Sequence, residues 1–292
     1  MVRDGALVTV GFDGSRCARR ALDWASAELA GRRGTVRVVA CYSVPVTAEP
    51  WYVPAQIDLG PVADEARRLA CSAADALGRT HPSVRFETVA ALGPASDQLV
   101  AEAAGSDLLV VGTHGHGPLD AWRLGSVSHR VVRHATCPVA VVPDREPGPT
   151  RGRVVVGVDS SPSAAAALAW ACDEADDRDD ELLVVHAWDY PYATELGSPT
   201  ARDLTQVDAA LQLEAAVRTA RDRRRGPVED RLVQGRTAFQ LIEEARDADL
   251  VVVGSRGRGA VRSLLFGSVA QEVSARASCP TVIVNAPPQE LP

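Results

Sequence analysis

The sequence predicts an α/β protein made of two tandem doubly wound, Rossmann-like domains, each a five-stranded, mainly parallel sheet flanked by helices. Three observations lead there. A loop phrase is written twice, G-T-H-G-H-G-P-L-D-A-W-R-L-G-S at 112–126 and G-S-R-G-R-G-A-V-R-S-L-L-F-G-S at 254–268; both reduce to G-x-x-G, nine residues, then G-S. An upstream phrase, V-T-V-G-F-D-G-S at 8–15, returns as V-V-V-G-V-D-S-S at 154–161. Short runs apolar on both faces alternate with helix-length segments, the pattern of parallel strands covered on both sides. The two phrases recur in the same order, 146 and 142 residues on, so one domain is present twice.

In the first copy, strands are expected at Leu7–Gly11, Thr35–Tyr42, Arg85–Ala90, Asp107–Gly112 and Pro138–Pro143. Helices fall between them at Ser15–Ala30, Pro61–Gly78, Ala95–Ala104 and Ser126–His134. The second copy repeats that order, with strands at Arg153–Val158, Glu181–Trp188, Val228–Val233, Asp249–Gly254 and Thr281–Asn285. Its helices are expected at Pro162–Asp176, Leu204–Arg224, Ala238–Arg246 and Ser268–Arg276. A polar Pro/Gly-rich stretch, Asp144–Gly152, reads as a linker and separates domains at 1–146 and 151–288. Each domain carries a longer segment after its second strand, Ser43–Gly60 and Asp189–Asp203, a length typical of functional loops.

Composition narrows the chemistry. A chain of 292 residues with 46% apolar and 24% charged side chains is that of a globular protein of about two domains. A net charge of -7 argues against general nucleic-acid binding, which needs a basic footprint. No lysine occurs, which removes a P-loop lysine and a Schiff-base lysine together. Any phosphate held here must rest on glycines, backbone amides and helix ends. Six cysteines form no C-x-x-C pair, and nothing before Val8 reads as a secretion signal, so a reduced cytoplasmic setting is expected. No apolar stretch approaches the length of a membrane span.

The repeated polar residues sit where a doubly wound sheet binds ligands, outside the carboxyl ends of its strands. Asp13 and Asp159 follow the first strand of each copy, and Gly112 and Gly254 end the fourth. A carboxylate there suits ribose hydroxyls. Glycines beyond the fourth strand allow close approach of phosphate and can take positive φ. The closing G-S opens a helix, where free N–H groups and the helix dipole favour an anion. Ser268 with Gln271 also has the spacing of a capping box. Each feature alone has a plain reading as a turn, a cap or an N-cap aspartate. Their conjunction in fixed order, twice, favours a site.

On these residues the chain resembles a tandem universal stress protein of the ATP-binding type. The mark of that family, G-2x-G-9x-G-(S/T), is met in both copies; the V-x-V-G-x-D-x-S opening and the Cys137-Pro138 and Cys279-Pro280 pairs agree with it. The resemblance implies a strand order 3-2-1-4-5 in each domain. It puts ribose contacts on Asp13 and Asp159, and adenine-side contacts on Cys41 and Ala187. It puts the phosphate loop on Gly112, His114, Gly115, Gly125 and Ser126, and on Gly254, Arg256, Gly257, Gly267 and Ser268. Gly11, Gly157, Val127 and Val269 join the same set. Ser128 matches a further phosphate contact where the second copy has Ala270. The implied ligand is ATP, or ADP, AMP or cyclic AMP, with or without Mg²⁺.

Several residues invite other readings. His114, His116, His129 and His134 suggest a metal cluster, but Arg256 and Arg258 replace the first two in the second copy, so no metal site is expected. The run Arg221–Arg225 reads as a solvated helix end, and Trp24 and Trp170 as packing residues. The leading function is a nucleotide-binding stress-response regulator, read by an unknown protein partner and without efficient catalysis. The alternatives are a slow Mg-dependent ATPase or nucleotidyl-transfer enzyme, and a non-binding dimerisation module. The final strands, Val139–Pro143 and Val282–Asn285, are the expected seam of an intrachain pseudo-dimer, with a homodimer as the further option.

Overall fold

Runs of valine and leucine bounded by Gly, Asp and Pro become strands, and the alanine-rich stretches between them become helices. The computed structural model describes residues 5–43, 58–115, 124–146, 148–189, 199–257 and 266–286. The first copy contributes β1 (Leu7–Gly11), α1 (Arg16–Glu28), β2 (Gly34–Tyr42), α2 (Gly60–Thr80), β3 (Val84–Leu92), α3 (Ala95–Glu102), β4 (Leu108–Gly112), α4 (Ser126–His134) and β5 (Val139–Val142). The second contributes β6 (Arg153–Gly157), α5 (Pro162–Arg178), β7 (Glu181–Trp188), α6 (Pro199–Arg223), β8 (Val228–Gln234), α7 (Thr237–Glu244), β9 (Leu250–Gly254), α8 (Ser268–Arg276) and β10 (Thr281–Val284).

The described residues fall into two units, one holding 5–115 with 125–137 and the other built from 138 onward. In the first, the parallel strands run β3-β2-β1-β4. In the second they run β8-β7-β6-β9-β10, the expected 3-2-1-4-5 order, with β5 added antiparallel beyond β10. That antiparallel register sets Val141 opposite Thr281 and Val139 opposite Ile283.

Central strands are buried on both faces, β4 and β10 along their whole length. Fully buried leucines such as Leu22, Leu109, Leu183 and Leu250 each contribute about 1.5–3 kcal/mol through apolar burial. β3 and β8, at the outer ends, carry the charges instead: Arg37 pairs with Glu87 of β3 at 3.4 Å, and Arg153 with Glu229 of β8 at 3.5 Å. Charged edges discourage pairing with foreign strands.

Two expectations change. α6 begins at Pro199, not Leu204, because proline suits the first turn of a helix and the polar residues after it continue the coil. The Arg221–Arg225 run is not simply solvated. Arg224 is buried, its guanidinium donating to Asp176 Oδ1, Pro227 O and Asp180 O, while Arg223 makes a two-pronged pair with Asp173. Trp170 is buried as expected.

One aspartate per copy locks the first strand to the fourth. Asp107 Oδ2 accepts the Leu7 N–H at 2.9 Å, and its own N–H donates to Leu7 O. Asp249 does more, its carboxylate accepting the N–H groups of Arg151, Gly152 and Arg153. We therefore expect Asp249→Ala to lower unfolding free energy by about 2–3 kcal/mol and Asp107→Ala by about 1 kcal/mol, from the worth of hydrogen bonds to a charged acceptor. Denaturant titration of the two variants checks the ranking; equal losses would show that the extra contacts of Asp249 contribute nothing.

Candidate functional site

The pairing of β1 with β4, and of β6 with β9, brings the two repeated phrases together at the carboxyl ends of neighbouring strands. Beyond β1 the chain turns at Asp13. Its Oδ1 accepts the Ser15 N–H at 2.9 Å, and Ser15 Oγ accepts the Ala18 N–H at 3.2 Å, capping α1. The second copy repeats this atom for atom, with Asp159, Ser161 and Ala164 at the same two distances. The other carboxylate oxygen faces the glycine loop. A Cβ on Gly115 would stand 2.6 Å from Asp13 Oδ2, and one on Gly257 2.9 Å from Asp159 Oδ2.

Gly112 and Gly254 are glycine for a different reason. A Cβ there would lie 2.7 Å from atoms of Cys17 and Ser163, so the first turn of the helix packs straight onto the strand end. The freedom to take positive φ is not used in the motif: none of its six glycines has it, whereas Gly14 does, at +81°. Space, not backbone handedness, selects glycine in the loop. Its ends meet where the Gly125 N–H donates to Thr113 O and the Gly267 N–H to Ser255 O, each at 2.8 Å.

Gly125 and Gly267 are themselves the N-caps of α4 and α8, and no side chain caps either helix. This corrects the capping-box reading of Ser268 and Gln271: Ser268 is the first helical residue, and Gln271 meets the cap only through its backbone N–H to Gly267 O. Ser126 and Ser268 are exposed at these uncapped ends, with Val127 and Val269 following. Such an end presents N–H groups and the positive pole of the helix dipole to an anion. Ser128, expected to touch phosphate, turns inward and donates to Gly112 O at 2.6 Å. Ala270 occupies that place, buried, in the second copy, so the departure there does not alter the loop.

In the second copy a cavity of about 520 Å³ opens among these groups, within the range of small-molecule sites. Gly157, Asp159, Ala187, Gly254, Arg256, Gly257, Gly267, Ser268 and Val269 all line it. Gly11 and Gly157 leave room for Leu99 and Leu241, whose methyl carbons come within 2.8 Å and 2.7 Å of a Cβ position. In the first copy, His114 holds a buried Nε2 with no partner among the described residues. His116 and Arg258 lie outside the described residues. Sequence reasoning missed two features. Ser161 and Ser163 both donate to Arg256 O, fastening the loop to α5; the serine-rich S-S-P-S at 160–163 was the available signal. His186 is buried on the cavity wall, and no spacing marked it.

Electrostatics argue against thiol chemistry. Burial, with the Glu102 carboxylate nearby, pushes the Cys41 thiol up to about 11, and burial pushes Cys137 to about 11 and Cys279 to about 12. Thiols so raised are neutral and poorly nucleophilic near neutral pH. Burial lowers His129, with Arg133 adding to the effect.

A sequence model described as the universal stress protein family matches residues 7–143 and again 150–285. A universal stress protein of Mycobacterium tuberculosis is 34% identical over 292 residues, covering 95% of this chain and 96% of its own. The crystal structure of a universal stress protein from Archaeoglobus fulgidus superposes with a TM-score of 0.67 at 18% identity, over 96% of this chain and 98% of its own, and so shares the fold. A universal stress protein solved in complex with cAMP matches 46% of this chain and 96% of its own at 28% identity and a TM-score of 0.36. Among the described residues no helix is long and apolar enough to cross a membrane.

The raised thiols set a pH dependence. At pH 8, below the folded values, Cys41 and Cys137 remain protonated, and alkylation of the native protein by iodoacetamide should be slow, rising as pH approaches 11. Peptide mass spectrometry reads this site by site; rapid native labelling of Cys137 at pH 8 would contradict it.

Proposed function

The chain belongs to the universal stress protein family, and from that premise we propose that each half binds an adenine nucleotide and that the loaded protein acts as a nucleotide-dependent regulator of a stress response in the cytoplasm. One observation carries this reading: the same constellation is built twice from partly different residues. In both halves a carboxylate oxygen abuts a glycine, the loop ends meet through one hydrogen bond, and a helix opens without a side-chain cap. A purely structural turn would not need all three together.

Ribose fits the Asp13 and Asp159 carboxylates, which already point one oxygen toward the loop. Phosphates fit the glycine loop and the ends of α4 and α8, where Gly125 and Gly267 leave the helix N–H groups to an anion. ATP is the ligand put forward; ADP, AMP and cyclic AMP share its adenine and sugar but bring fewer phosphates to the loop, and cyclic AMP has no free 3′-hydroxyl. Mg²⁺ would accompany the triphosphate.

Little turnover is part of the same proposal. The chain has no lysine to draw charge from a leaving phosphate, and the raised thiols are not nucleophiles near neutral pH. Asp13 spends one oxygen on the α1 turn, which fits a binding group better than a general base. The output of the loaded state would then be read by a partner protein.

Isothermal titration with ATP should give about two nucleotides per chain, one for each uncapped helix end. Gly115→Val should reduce that to about one with the circular dichroism unchanged, since its side chain would displace the Asp13 carboxylate rather than the fold. No heat from a folded parent protein would sink the nucleotide reading.

Asp13→Asn keeps an oxygen for the Ser15 N–H, so the turn survives. It should weaken binding in the first half by about 1.5–3 kcal/mol, the worth of a hydrogen bond to a charged group. Deoxyribose analogues of ATP should lose less than ATP on the same substitution. Equal losses would show that Asp13 does not touch the sugar.

A further inference from the structure

The two halves share a loop but differ in the wall that faces it. α2 and α6 bury matching rows, Ala66, Ala70 and Ala74 in the first copy and Ala209, Leu213 and Val217 in the second. That alignment sets Gln212 against Leu69, and Asp208 against Glu65. Leu69 leans on the turn after Asp13, 3.1 Å from where a Cβ on Gly14 would stand. The same helix position in the second copy therefore faces the ligand turn, and Gln212, with Asp208 and Thr205, lines the cavity.

The Gln212 amide is oriented by its neighbour. Its Nε2 donates to Asp208 Oδ2, a carboxylate oxygen that can only accept while ionised. Oε1 is thereby turned the other way, and it is buried with no hydrogen-bond partner among the described residues. A buried acceptor left unmet is costly, and a native protein keeps one where something else supplies the donor. His186 brings a second polar side chain to the same cavity. Its Nδ1 lies 2.7 Å from Val158 O, and because a carbonyl only accepts, the proton must sit on Nδ1. In the neutral ring Nε2 is then an acceptor as well. The strand pairings of Gly11 with Val39 and of Gly157 with Val185 place Ala40 at the matching position of the first copy, where no polar group exists.

We propose that Gln212, with His186 in the same cavity, makes the second half's site selective for a nucleoside that presents N–H or O–H donors to this wall, a discrimination that Leu69 and Ala40 deny the first half. It rests on the nucleotide reading above and deepens it. The donor is either the exocyclic amine of the base or a hydroxyl of the sugar; both would meet Gln212 Oε1 in the same way. An oxo group or a missing hydroxyl at that point leaves the acceptor buried and unpaired, so the second site rejects such analogues more strongly than the first.

The test uses the full chain carrying Gly115→Val, so that only the second site titrates. ATP, inosine 5′-triphosphate, 2′-deoxy-ATP and 3′-deoxy-ATP are compared before and after Gln212→Leu, which installs the residue the first half has. ATP should bind about tenfold more weakly to the Leu variant. One analogue should bind parent and variant within about twofold, since it lacks the donor already. If that analogue is inosine triphosphate, the donor is the amine; if a deoxy nucleotide, it is the sugar hydroxyl. Gln212→Met serves as a second apolar replacement and should give the same pattern. Unchanged ATP affinity, or an equal loss for all four ligands, overturns the proposal while leaving the nucleotide reading intact. If none of the four binds the parent, the nucleotide reading itself fails and this proposal falls with it.

Discussion

The carboxylate that follows the first strand of each copy holds two backbone segments at once, and the rest of the site depends on it. One oxygen of Asp13 or Asp159 takes the N–H two residues on and starts the next helix. The other stands so close to Gly115 or Gly257 that no side chain fits between them. The turn after one strand and the loop after its neighbour are therefore positioned by a single short side chain with two torsions. A longer acid would be free to swing, and an alanine would leave the turn N–H without its acceptor. Gly112 and Gly254 complete the constraint by letting α1 and α5 rest on the strand end. The loop enters at a set height and returns through one backbone hydrogen bond.

On that shared frame the two halves have diverged in ways that keep geometry and change chemistry. Thr9 and Ser106 hydrogen-bond inside the first copy at 2.8 Å, where the second has the apolar Val155 and Ala248. Cys17 stands where Ser163 fastens the loop carbonyl of Arg256. Ser128 ties down Gly112 O, yet Ala270 manages the same turn without it. The exchange at Thr9 and Ser106 removes both partners of a hydrogen bond together, which costs little because neither is left unmet, while the other two change only the hydroxyl that meets a backbone carbonyl. The exchange at Leu69 and Gln212 is unlike the others. There one buried polar atom enters the second copy without a partner among the described residues, on a side chain that lines a cavity. His114 shows a similar imbalance in the first copy, with a buried ring nitrogen that has no partner among the described residues.

Fold and site were legible in this chain to different depths. Strand runs such as Leu7–Gly11 and Asp249–Gly254 were plain because buried parallel strands need apolar residues on both faces, a demand written in consecutive positions. The repeat of Asp, glycines and G-S made the site visible, since a local phrase met twice records a local constraint. The reasons behind individual residues were less legible. Positive φ is the commoner cause of a loop glycine, and only the approach of Asp13 and Cys17 shows that space was the cause here. Ser268 and Gln271 had capping-box spacing, but the cap lies one residue earlier, because the loop must return to Ser255 O through the Gly267 N–H.

By itself the sequence determined that this chain is a duplicated α/β protein with its polar residues gathered at strand ends, because periodicity, punctuation and repetition are local properties of a chain. Tertiary structure alone decided the rest. Arg224 looked like one arginine in a solvated run, and packing against Asp176, Asp180 and Pro227 made it a buried clamp. His186 and Gln212, 26 positions apart, share one cavity because β7 and α6 return to the same strand end. Such meetings depend on residues far apart in the chain, and no pattern along it carries their distance. Which polar atoms are left unmet is likewise settled only when every neighbour is in place, since a hydrogen bond belongs to two groups and the sequence names them one at a time.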